Sequence, residues 1–167
     1  MQADRRWILD IAREMEGTGR FGQLKQYTQH GDVSVYDHSV NVALGALGIM
    51  RRLHLKLDAR SLVRGALLHD YFLYDWHVPD PNRPLHGFAH PRIALENARR
   101  DYPLNRVEMD IIRRHMFPLT PVPPATAEGW VVCLADTLCA AAETFSPARL
   151  MRAARRRPVK EVTGHAR

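Results

Sequence analysis

Apolar residues recur at three- and four-residue spacing along most of the chain, and alternation with period two is almost absent. Residues 5–15 place Trp7, Ile8, Ile11 and Met15 on one stripe, which predicts an N-terminal helix. Residues 20–30 predict a short second helix. The stretch 37–53 carries Val40, Val42, Leu44, Leu47 and Met50, again at helical spacing. Asp58 reads as an N-cap, with the next helix running to Leu73. HVPDPNRP, residues 77–84, is a polar, proline-rich loop. Pro91 suits the first turn of a helix that runs to Asp101, and Pro103 separates that helix from one over 104–116. FPLTPVPP, residues 117–124, is a second rigid loop, and a small-residue apolar helix over 126–145 follows. The only β-branched run is VSV at 33–35. The prediction is an all-α bundle of antiparallel helices joined by short loops, with no internal repeat.

Length and composition sharpen this picture. A chain of 167 residues that is 46% apolar can bury a sizeable core as one ordinary domain. The expected division is N-terminal helices over 1–30 that pack on or precede the domain, a main domain over 31–148 and a basic tail over 149–167. The net charge of +6 would suggest nucleic acid if it were spread over the fold. It is not. Residues 149–167 contain Arg149, Arg152, Arg155, Arg156, Arg157, Lys160 and Arg167 against one acid, Glu161. The remainder is electrically balanced, so nucleic acid is not an expected partner of the domain. The tail is the one segment suited to RNA or an acidic partner. Cys133 and Cys139 are too few and too close for a disulfide framework. Asp4 and Asp10 interrupt what a signal peptide would need, and no apolar window reaches membrane-spanning length. A soluble cytoplasmic protein with no membrane partner is expected; the oligomeric state is not legible.

The candidate chemistry lies in the placement of the histidines. His38 sits near the start of one helix, and His69-Asp70 near the end of the next. His90 and His115 repeat that arrangement. The two legs between His90 and His115 are each about 18–20 Å at 1.5 Å per residue, so both histidines return to one level of the bundle. Asp136 is the only acid between Glu128 and Glu143, in an otherwise apolar helix. A buried carboxylate needs a partner, and a metal ion would supply one. Four imidazoles and two carboxylates suit Fe, Mn, Co or Zn better than Ca or Mg. Six ligands exceed what one catalytic ion takes while keeping an open position, so two ions sharing an Asp are favoured. Singly, each residue also has a structural reading: a hydrogen-bonded core histidine, a helix-end charge at His69-Asp70, an arginine partner for Asp136.

The order His38, His69-Asp70, Asp136 resembles the HD superfamily of metal-dependent phosphohydrolases. The flanks agree: HSxxVA at 38–43, GALLHD at 65–70 and LAD at 134–136. The resemblance covers residues 34–146. With His90 and His115 the order becomes H, HD, H, H, D. That is similar to the subgroup with two metals, which includes the HD-GYP phosphodiesterases and the bacterial HD-type diadenosine tetraphosphate hydrolases. It implies a metal set of His38, His69, Asp70, His90, His115 and Asp136. Fe or Mn is favoured, with Co, Ni or Zn compatible. His86 and His90 compete for the third position; HPRIA at 90–94 favours His90. His86 is then a substrate contact or a proton donor to the leaving group, and His115 and Asp70 are the other catalytic candidates.

The sequence departs from the subgroup in places. Leu73 stands where many phosphodiesterase members carry Lys, Thr137 follows the last acid where Lys is frequent, and the GYP motif is absent. Arg83, Arg92 or Arg64 could replace the missing phosphate clamps. HDYFLYDWH, residues 69–77, could stack a ring, and the 77–84 loop could act as a lid. The expected activity is hydrolysis of a phosphate ester or anhydride in a nucleotide or other small phosphorylated molecule. The alternatives are a mixed-valence di-iron oxygenase of the same superfamily and a non-catalytic metal-binding module.

Overall fold

The computed structural model describes residues 2–79 and 85–144. The elements are α1 (Gln2–Thr18), a 3-10 helix (Phe21–Gln26), strands β1 (Thr28–His30) and β2 (Val33–Ser34), α2 (Val35–Arg52), α3 (Ala59–Leu68), α4 (His86–Asp101), α5 (Arg106–Arg114) and α6 (Ala127–Thr144). The fold is all-α, as the periodicity predicts. The 149–167 tail lies outside the described residues, as do residues 80–84 of the proline-rich loop.

Local chemistry sets the helix starts. Ser34 caps α2 by accepting from the Asp37 backbone N–H at 3.0 Å. Asp58 caps α3 by accepting from Arg60 and Ser61 N–H, each at 3.1 Å. Asn105 and Glu108 form a reciprocal capping box at the start of α5.

Three boundaries differ from the sequence expectation. The 20–30 segment is not one helix: only a six-residue 3-10 turn forms, then Tyr27 turns extended and β1 pairs antiparallel with β2. Gly31, at φ 64, makes the tight turn between them. α3 stops at Leu68, short of Leu73. The Asn97 side-chain amide, projecting from α4, donates to the carbonyls of Tyr71 and Phe72 at 3.1 Å each, and Leu73 is left-handed at φ 57. α4 begins at His86, a turn before Pro91, because the Leu85 carbonyl accepts from Phe88 and Ala89 N–H and so starts the ladder upstream.

Small residues set how closely the helices cross. A Cβ on Gly65 of α3 would lie 2.4 Å from Ile111 Cδ1 of α5, so only glycine permits that approach. On the other side, Gly45 of α2 faces Ala135 of α6. Leu62, Leu67, Leu68, Ile111, Ile112 and Val132 fill the centre, and each is fully buried. Burial at this level contributes about 1.5–3 kcal/mol per large aliphatic side chain. Ile8, Ile11 and Met15 of α1, with Phe21 and Leu24, belong to the same core. Tyr102 ties this segment down by donating to the Met15 carbonyl at 3.0 Å and accepting from Phe21 N–H at 3.1 Å. Trp130, Leu134 and Leu138 form an exposed stripe on α6. No helix among the described residues is long and apolar enough to cross a membrane.

Candidate metal centre

The bundle brings the helix-start and helix-end histidines to one edge. His38 is in the first turns of α2, His69 caps the end of α3 and Asp70 follows it. His90 lies in the first turns of α4, His115 caps the end of α5, and Asp136 is midway along α6. Ring centroids lie 5.4 Å apart for His38 and His69, 4.9 Å for His69 and His115, and 5.0 Å for His90 and His115. All four imidazoles and Asp70 are buried.

The tautomers follow from the backbone. His69 Nδ1 is 2.7 Å from the Ala66 carbonyl, His90 Nδ1 is 3.0 Å from that of His86, and His115 Nδ1 is 3.0 Å from that of Ile112. A carbonyl only accepts, so each Nδ1 carries the hydrogen and each neutral ring presents a bare Nε2 to the centre. His38 is held differently: its Nδ1 is 2.9 Å from Glu143 Oε2 and its Nε2 3.0 Å from Asp136 Oδ1. Burial alone would lower the His38 pKa, but hydrogen bonds to Asp136 and Glu143 outweigh it and raise the value to about 9. His69 is raised in the same way against the burial cost, by Asp70 and Asp136. Burial holds His115 below its ordinary value. Burial also opposes ionisation of Asp70 and Asp136, yet the surrounding imidazoles keep both well below the usual carboxylate range.

Asp70 sits between two sets of donors. Its Oδ1 is 3.1 Å from His90 Nε2 and 3.5 Å from His115 Nε2. Its Oδ2 is 3.3 Å from His69 Nε2 and accepts from the Gln29 amide at 2.6 Å. Three groups place their donor atoms within 4.8 Å of one another: His38, His69 and Asp70; His69, His115 and Asp136; and Asp70, His90 and His115. His69 Nε2 and Asp70 Oδ1 are buried without a hydrogen-bond partner, although such atoms ordinarily find one. An unpartnered carboxylate oxygen beside bare imidazole nitrogens is the donor chemistry a divalent transition-metal ion satisfies, so the residues fit the group the sequence implies.

His86 stands apart from these groups. It stacks on His90 at 4.6 Å and on Trp76 at 5.1 Å, with Nδ1 2.8 Å from the Tyr74 hydroxyl. Burial and the neighbouring His90 lower its pKa to about 4, so it is neutral at physiological pH. A cavity of about 380 Å³ opens beside it, reaching Asp70, His90, His115 and Asp136. Met116, Phe117, Pro118 and Leu119 form its apolar wall, and no Lys or Arg lines it among the described residues.

The other sequence candidates lie elsewhere. Arg64 pairs with Glu108 at 2.6 Å and Arg92 with Glu96 at 2.6 Å, so neither reaches the cavity; Arg83 is outside the described residues. The partner of Asp136 is His38, not an arginine. Tyr71 and Phe72 are core, with the Tyr71 hydroxyl donating to Asp101 at 2.7 Å. A wider hollow of about 540 Å³ between α3 and the start of α5 contains none of the histidines. Sequence reasoning missed Glu143 and Gln29. Glu143 lies seven residues after Asp136, two turns along the same face, and that spacing was a usable signal. Gln29 reaches the site from the hairpin, which helical periodicity does not register.

No curated protein and no solved structure matches the chain significantly. The family model for the HD domain matches residues 35–141, more than half of the chain and the span holding all six candidate ligands, so the chain belongs to the HD-domain family.

Proposed function

We propose that this protein is a metal-dependent phosphohydrolase that cleaves a phosphate ester or anhydride of a nucleotide or another small phosphorylated molecule. The observation that carries this reading is the pair of buried, unpartnered atoms, His69 Nε2 and Asp70 Oδ1, at the meeting point of six metal-ligand side chains. His38, His69, Asp70 and Asp136 would hold one ion, and Asp70, His90 and His115 a second, with Asp70 common to the two sets. Divalent ions there, Fe or Mn above Co, Ni or Zn, would supply an activated water and charge neutralisation at phosphorus. The carbonyls of Ala66, His86 and Ile112 orient three of the rings, and Glu143 orients the fourth. The H, HD, H, H, D order is what relates the chain to the two-metal subgroup, including HD-type dinucleoside polyphosphate hydrolases.

His86, neutral and beside the cavity, hydrogen-bonds a substrate or leaving-group atom rather than serving as a charged acid. The cavity volume lies in the range of small-ligand sites, and its apolar wall suits the organic part of a substrate. We read residues 31–148 as the metal-binding domain, 1–30 as helices packing on it and 149–167 as a separate basic tail.

One observation favours the di-iron oxygenase reading: no basic side chain lines the cavity among the described residues. Among the described residues, a multiply charged phosphate chain would find no Lys or Arg there to neutralise it beside the ions. The deciding experiment is elemental analysis of protein purified without chelator, followed by phosphoester, anhydride and phosphonate substrates with and without O₂. Two equivalents of metal with O₂-independent phosphate release support hydrolysis. Substrate-dependent O₂ uptake overturns it in favour of oxidation. A folded protein that takes up no metal, even after reconstitution, leaves a binding module.

A further inference from the structure

We propose that Gln29 is a positioning residue for Asp70, fixing which carboxylate oxygen is occupied and which is left to meet a cation. The inference rests on reading the cluster as a metal centre. Gln29 is 9% exposed and comes from β1, outside the helices that supply every candidate ligand. β1 is held by its pairing with β2 and lies against α2 and α6. Gln29 Nε2 donates to Asp70 Oδ2 at 2.6 Å. An ionised carboxylate only accepts, so the amide cannot flip. Its Oε1 is therefore turned away from Asp70 and left buried without a partner. That orphaned oxygen costs stability, and an apolar side chain of the same size would avoid the cost. The arrangement makes sense if the amide serves Asp70.

The consequence is a division of labour between the two carboxylate oxygens. Oδ2 receives the Gln29 N–H, while Oδ1 faces His90 Nε2 at 3.1 Å and His115 Nε2 at 3.5 Å with no hydrogen bond. With a metal on its Nε2, His69 has no hydrogen to offer Oδ2, because its Nδ1 hydrogen is committed to the Ala66 carbonyl. Without the amide, the Asp70 carboxylate loses its one strong donor and can rotate.

The test uses full-length protein stripped of metal and titrated with Co²⁺ against a chromophoric chelator. Gln29→Met keeps the length and removes the donor; Gln29→Asn keeps the amide but falls one methylene short. Both are expected to bind Co²⁺ about 10- to 100-fold more weakly than wild type. Both should show an altered Co²⁺ visible spectrum and retain the helical circular dichroism of the metal-free wild type. Affinity and spectrum equal to wild type in either variant overturn the proposal. So does a fall in the metal-free melting temperature with unchanged affinity, which would assign Gln29 to packing alone. A wild-type protein that takes up no Co²⁺ overturns the metal-centre reading itself, so the two failures are distinguishable.

Discussion

His90 and His115 face each other through their Nε2 atoms at 2.9 Å, while the Nδ1–H of each is tied to a carbonyl of its own helix. In the neutral tautomers two lone pairs meet, which is repulsive until a proton or a cation lies between them. His115 resists protonation because it is buried. A divalent ion should therefore stabilise the fold measurably. At free metal one hundred times Kd, the gain is about 2.7 kcal/mol, read as a rise in melting temperature that a chelator reverses. His115→Ala should lose only the ion assigned to Asp70, His90 and His115. Asp70→Ala should lose both proposed ions while the helical circular dichroism persists.

Glu143 should prove as consequential as a ligand without being one. It accepts from His38 Nδ1 and lies 3.2 Å from the Asn41 amide. A carboxylate behind a metal-binding imidazole fixes its orientation and raises its basicity. Glu143→Ala is expected to weaken metal binding by about 10- to 100-fold while the fold persists. Equal affinity in a chelator competition would remove Glu143 from the centre.

The approach of α3 to α5 is what brings His69 and His115 within 4.9 Å, and Gly65 permits it. Gly65→Ala should cost about 1–3 kcal/mol through overpacking against Ile111 and reduce metal occupancy as well. Ile111→Val removes the Cδ1 that the new methyl would strike, so Gly65→Ala with Ile111→Val should lose less than the two single losses added together. Thermal melts of the four proteins supply the cycle. Strict additivity would show that the contact is not limiting.

Much of the candidate site is written in the sequence because its candidate ligands occupy positions that helix periodicity makes visible. His38 and His90 fall near helix starts, His69 and His115 near helix ends, and Asp136 interrupts an apolar face. The errors have physical causes. Past Leu68 the Tyr71 and Phe72 N–H groups turn to the carbonyls of Leu68 and Asp70, and Asn97 holds the Tyr71 and Phe72 carbonyls, a tertiary contact absent from local sequence. Gly31 allows a hairpin where Tyr27 and Thr28 read as the end of a helix. Gln29 was invisible because its hydrogen bond to Asp70 joins residues 41 positions apart. The choice between His86 and His90 was open at four-residue spacing; the structure groups His90 with Asp70 and His115 and stacks His86 on Trp76.

Asp58 gives a stability test away from the centre. Hydrogen bonds from the Ser61 side chain and backbone, then from the Arg60 backbone, hold its carboxyl below the ordinary value of 3.8. A depressed folded pKa means that the contribution is present above the unfolded value and is lost as pH falls through the folded one. Asp58→Ala should cost about 1 kcal/mol near neutral pH, the usual worth of an N-cap. The difference from wild type should shrink as pH falls below about 4, the unfolded-state value. Denaturant melts at pH 7 and pH 3 measure it, and a gap that persists unchanged at pH 3 would show that the carboxylate is not the source.

Substitution of His86 should separate metal binding from turnover. Among the described residues it belongs to none of the groups able to hold an ion, yet it borders the cavity and is fixed between Trp76 and His90 with a hydrogen bond shared with Tyr74. His86→Ala should leave the metal content unchanged and lower kcat by about 10²- to 10³-fold if its neutral ring hydrogen-bonds the leaving-group oxygen as charge develops there. A substrate with a leaving group of low pKa needs less assistance, so the loss should be smaller with a nitrophenyl ester than with an alkyl ester. A rise in KM with kcat unchanged would instead make His86 a binding contact, because uniform binding of ground and transition states leaves kcat untouched. If His86→Ala empties the site with Asp70 and His115 while His90→Ala does not, the ligand is His86, and the stack on Trp76 must open when metal binds.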